Sequence, residues 1–143
     1  MSTKERELRF LEVARYINNA QDILKTKGNK KEGFYQDVKY VKMACGTAYS
    51  AVLMALETYF EIKGVPILKK RKNSRPSVED FEKRLAGLDK KLLKEFNVTY
   101  NVLHLDGYYD GITKYGVIQE GMGSAIEIIN KIKPLGHVGL KAA

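Results

Sequence analysis

Apolar side chains return at steps of three and four along most of the chain, the spacing that lines one face of a helix. Over residues 5–27 the stripe is Phe10, Val13, Ile17, Ala20 and Leu24, which predicts a first helix. Glu5, Glu7 and Glu12 lie toward its start and Lys25 and Lys27 at its end, placements that suit the helix dipole. Gly28-Asn29 then ends it. A longer helix is predicted over residues 35–63, where Val38, Val41, Cys45, Ala48, Val52, Leu56 and Tyr59 keep the rhythm. At roughly 1.5 Å per residue it would run about 43 Å. Ala44, Ala48, Ala51 and Ala55 form a second, small-residue stripe, so this helix is expected to be central and approached on several sides. Gly64 closes it.

Residues 64–76 hold five basic residues and no acid, and read as a loop. Ser77-Val-Glu-Asp80 resembles a capping box and opens a short helix with Val78, Phe81, Leu85 and Leu88 inward. Leu93, Phe96, Tyr100 and Leu103 give a fourth stripe, and residues 86–90 are either a break or a bend. Gly107 and Gly111 predict that the helix ends or loosens there. Ile118, Met122, Ala125, Ile129 and Ile132 predict a last helix from Lys114 to Lys133, stopped by Pro134, with Gly121 and Gly123 allowing close packing. No strand alternation and no internal repeat is legible. The predicted fold is all-α, an antiparallel bundle of about five helices. Residues 1–135 form its single domain and 136–143 a flexible C-terminal tail.

Composition adds limits. A chain of 143 residues is one domain's worth and can bury a core without staples. The lone Cys45 has no disulfide partner and sits on an apolar stripe, as an inert core thiol would. The charged start, Met1-Ser-Thr-Lys-Glu-Arg-Glu, has no apolar run behind it, so no secretory signal is expected. The longest uncharged run, Met43 to Leu56, is 14 residues and too short to span a bilayer. The expectation is a cytoplasmic protein without membrane contact. Net charge of +8 raises the case for an anionic partner such as RNA or a nucleotide, although a lysine-rich solvated surface is the simpler explanation.

Chemistry concentrates in Tyr100-Asn-Val-Leu-His104-Leu-Asp-Gly-Tyr-Tyr109-Asp-Gly111. His104 is the candidate for proton transfer near neutral pH, with Asn101 three residues before it and Tyr108 four after on a continuing helix. Flanked by Leu103 and Leu105, it also suits a core or interface histidine. Tyr108 and Tyr109 can stack on bases, or pack their rings while wetting their hydroxyls. Asp106 and Asp110 beside glycines suit turn and cap roles. Lys69, Lys70, Arg71, Lys72 and Arg75 are the candidate nucleic-acid contacts, though no aromatic is interleaved with them. His137 stands apart in the tail, no ligand spacing joins it to His104, and neither a metal nor a cofactor is expected.

The helix order, the tyrosine-rich segment 100–111 and the closing stretch Val117-Ile-Gln-Glu-Gly121-Met-Gly-Ser-Ala-Ile-Glu-Ile-Ile-Asn130 resemble the HEPN superfamily of helical bundles, in its uncharacterised bacterial branches. The resemblance covers most of residues 5–133. It implies a homodimer, a nucleotidyltransferase partner in a toxin-antitoxin module, and in some members metal-independent RNA cleavage. The cutting members place an arginine before a histidine with four to six residues between them. If that histidine is His104, the arginine should stand at Asn97, Val98 or Thr99, and it does not. The reading is therefore a non-enzymatic, HEPN-like binding or assembly module. Asn101, His104, Tyr108 and Tyr109 would be its ligand residues, on a tyrosine-lined rim that lacks a guanidinium. The alternatives are an endoribonuclease using His104 and a purely structural interaction subunit.

Overall fold

The computed structural model describes residues 1–68 and 74–132. Helix α1 spans Thr3–Lys27, and Ser2 caps it by accepting from the Glu5 amide at 3.1 Å. Every residue of its predicted stripe is buried, with Ala14 added. Helix α2 spans Val38–Ile62. All four stripe alanines, Ala44, Ala48, Ala51 and Ala55, are fully buried. That burial is what close approach by neighbours on more than one side requires. Arg9 near the start of α1 meets Glu61 near the end of α2 at 2.6 Å, so the two helices run antiparallel. Both side chains of that pair are about two-fifths exposed, and such a pair contributes under about 1 kcal/mol.

The chain between these helices departs from the sequence expectation. A helix was expected from residue 35, with no strand before it. Strands β1, Lys30–Lys31, and β2, Phe34–Tyr35, instead pair as a tight hairpin, and α2 starts only at Val38. It is therefore about 38 Å long, not 43 Å. The hairpin turn is Glu32-Gly33, both at positive φ (54° and 84°), the backbone that a two-residue hairpin loop demands. The hairpin is tied to the segment before the last helix, through Tyr35 N–H to Thr113 O and Tyr115 N–H to Gly33 O, both 2.9 Å.

Helix α3, Val78–Leu88, opens on the predicted capping box, with Ser77 and Asp80 each bonding the other's amide. Phe81 and Leu85 are buried, but Leu88 is exposed and not inward as expected. Residues 86–90 hold a true break. Asp89 adopts extended backbone, and its carboxylate accepts from the amides of Lys91 and Leu92, starting α4 at Lys90–Thr99. Leu92 joins Phe96 in the core, while Leu93 only rests against it. From Tyr100 to Tyr109 the helix widens to π geometry. Helix α5, Tyr115–Ile132, closes the bundle, with Gly121 buried against Val102 and Leu103. Gly123 faces open space, so only the first of those two glycines serves packing. The tail beyond residue 132 lies outside the described residues. Among the described residues, no helix is long and apolar enough to cross a membrane.

Candidate functional site

The π segment decides how the side chains around His104 meet. In an α-helix residues three and four apart share a face, and residue i+5 points elsewhere. A π turn bonds five residues apart, as Asp110 N–H does to Leu105 O at 2.9 Å, and this wider turn brings i+4 and i+5 onto one side. The His104 ring consequently meets three tyrosines of its own segment. Tyr100 lies 5.4 Å away at 27°, Tyr108 lies 6.0 Å away and nearly parallel, and Tyr109 stands edge-on at 4.9 Å. A fourth ring, Tyr49 of α2, stacks on it at 4.7 Å.

These contacts extend a line of rings out of the core. Phe60 meets Phe81, Phe81 meets Phe96, Phe96 meets Tyr49, and Tyr49 meets His104, each step between 4.7 and 6.4 Å. Exposure rises along it, from 0% at Phe60 through 8% at Tyr49 to 45% at Tyr108 and 60% at Tyr109. The outer two rings thus rest on rings beneath them while their outer faces meet solvent. Two glycines permit the approach. A Cβ on Gly46 would stand 2.9 Å from the Tyr108 ring, and one on Gly107 would overlap Cys45 Sγ. Without these absences α2 and the π segment could not lie so close.

The rings form one wall of a groove of about 500 Å³. Its other walls come from α2, including Lys42, Met43, Thr47 and Ser50, and from Arg75 ahead of α3. This corrects the expectation that the rim lacks a guanidinium: Arg75 is distant in sequence and no helical spacing links it to His104. Burial lowers the His104 pKa below its ordinary value, so the imidazole is neutral at pH 7. Burial raises the Tyr49 pKa above its ordinary value, with Tyr100 and Glu82 adding to the effect, so its phenol stays protonated. Burial pushes the Cys45 thiol up to about 12, which fits an inert core position.

The expected ligand residues do not all gather. His104, Tyr108 and Tyr109 line the groove, and Asn101 is exposed away from it, because the widened turn carries it off the His104 side. Asp106 and Asp110 serve the segment's end, their backbones taking part in the closing turn at Ile112 and Leu105. Of the basic residues, Arg75 lines the groove, and Lys69, Lys70, Arg71 and Lys72 lie outside the described residues. Among the described residues no cluster of three metal-ligating side chains occurs. Sequence reasoning missed Tyr49 and Lys42 as wall or support. Tyr49 was legible as the one aromatic amid the small residues of α2, and Lys42 as the cation one turn before Gly46.

A family described as a domain of unknown function (DUF5618) matches residues 9–134. The chain is also similar to a solved structure described as a protein of unknown function from Dyadobacter fermentans. The two are 42% identical, the match covers 94% of this chain and 98% of that one, and the TM-score is 0.78. No curated protein matches.

Proposed function

The chain belongs to the DUF5618 family, and from the groove's geometry we propose that it is a binding module for single-stranded RNA or its nucleotide units. One observation carries the reading: two exposed tyrosine rings braced by His104 stand in the same groove as Lys42 and Arg75. Bases stack on aromatic faces regardless of sequence, and lysine and arginine neutralise the phosphates between them. The neutral imidazole adds a polar edge without a charge. The net charge of +8 acts in the same direction by steering polyanions toward the surface. The test is a titration of isotope-labelled protein with a short single-stranded oligoribonucleotide, followed by amide shifts. Shifts gathered on Gly46, His104, Tyr108 and Tyr109 support the reading. Their absence, or shifts scattered over lysines elsewhere, count against it.

A second reading has one observation in its favour, the presence of Arg75 in the groove that holds His104. In RNA cleavage a neutral imidazole takes the proton of a 2′-hydroxyl, and the freed oxygen bonds to phosphorus. The 5′-oxygen then leaves with a proton from solvent, while a guanidinium offsets charge on the phosphoryl oxygens. Some HEPN bundles, which the sequence resembles, cut RNA, but the arginine of their motif is missing before His104. Yet among the described residues no side chain bonds the His104 ring nitrogens to hold a tautomer, so binding is the stronger of the two proposals. Labelled RNA incubated without metal, with wild type and His104→Ala in parallel, separates them. Cleavage by wild type alone favours catalysis, and equal products from both sink it.

A further inference from the structure

A second cavity, of about 350 Å³, lies where the end of α1, the hairpin and the first turns of α5 meet. It shares no lining residue with the His104 groove. Its floor is apolar, formed by Leu24 and Met122, which are 4% and 1% exposed. Tyr35 lines it while only 4% exposed. The Tyr35 oxygen accepts from Gln119 Nε2 at 3.0 Å, and its own proton goes to no acceptor among the described residues. Lys30 holds its ammonium 3.7 Å from the centre of the Tyr115 ring, fixing a cation at the cavity edge before any ligand arrives. Lys25 is a second cation in the lining, and among the described residues no acid lines the cavity. Neither lysine is paired with a carboxylate among the described residues.

Two cations, an unspent phenolic donor and a greasy floor define a ligand with one anionic end and an apolar body. The volume lies at the small end of the range for ligand sites. We propose that this cavity binds a small organic acid. Its carboxylate is held by Lys30, Lys25 and the Tyr35 hydroxyl, and its hydrocarbon part rests on Leu24 and Met122. The hairpin supplies both Lys30 and Tyr35, so it builds the site as well as joining two helices.

The test uses the full chain, isotope-labelled, titrated separately with benzoate, hexanoate and the neutral isostere benzamide. Saturating shifts at Lys30, Tyr35, Gln119 and Met122 are expected with at least one of the acids, with benzamide roughly tenfold weaker or worse. Lys30→Gln removes the charge at an exposed position, so its fold is safe, and it should weaken the acid roughly tenfold. Tyr35→Phe keeps the ring and should weaken it by a smaller factor. No saturating shift from either acid overturns the proposal. So does benzamide binding as well as benzoate, or indifference to both substitutions.

Discussion

His104 is half-buried among four rings and titrates below its ordinary value because burial disfavours the charged form. The unfolded chain, with a value near 6.5, takes up that proton more readily than the native one. His104 therefore contributes a loss of stability that begins as pH falls through about 6.5 and is complete below the lowered native value. Melting curves from pH 7.5 to 5 should show a smaller fall for His104→Phe than for wild type, and identical falls would contradict the assignment. In the proposed complex the phosphates held by Lys42 and Arg75 would favour the charged imidazole, so affinity for RNA should rise on acidification from pH 8 to 6 in wild type and less in His104→Phe. Gly107 is the other telling residue. Gly107→Ala forces a methyl onto Cys45 Sγ and should cost about 3 kcal/mol by urea denaturation. Adding Cys45→Ala should recover part of that loss, and no recovery would place the strain elsewhere.

At the level of elements, what the sequence made legible follows from what a period can encode. The stripes of α1 and α5 and the alanines of α2 are each a continuous buried face of one helix, so the three-four rhythm marks them directly. The capping box at Ser77 is equally local. The hairpin was hidden because its strands are two residues each, too short for alternation. Its signal was the Glu32-Gly33 pair, a weak form of the Asn-Gly turn. Glu32→Asn puts a residue that tolerates positive φ in that place and should stabilise the fold by about 0.5 kcal/mol, read as a raised melting temperature. A drop would mean the turn is held by the Glu32 side chain. The break at Asp89 was a matter of capping, and Asp89→Ala should cost about 1 kcal/mol. The π segment was legible only as a loosening at Gly107 and Gly111, and its widened geometry was not. Its residues fit an α-helical stripe up to Leu103, and the glycines mark a loosening without saying that a wider turn brings Tyr109 to His104.

Across the whole molecule, the groove is an assembly of parts that sequence keeps far apart. Tyr49 and Lys42 come from α2, Arg75 from the approach to α3, and His104 with its tyrosines from the π segment. Only the last of these could be named as a unit in advance, because it alone is contiguous. The missing arginine before His104 was a correct reading of the sequence, and it led to a wrong picture of the rim, since a guanidinium arrives from another element. The same assembly makes the central claim open to one direct measurement, the affinity of a labelled single-stranded oligoribonucleotide by anisotropy across a salt series. The wild type should bind, with log affinity falling linearly in log salt at a slope of about −1.4 or steeper for two phosphate contacts. Arg75→Gln should flatten that slope by about 0.7, and Tyr109→Ala should weaken binding about tenfold at every salt concentration. Absence of binding at low salt, or a charge-dependent affinity that ignores the loss of the Tyr109 ring, would contradict the account.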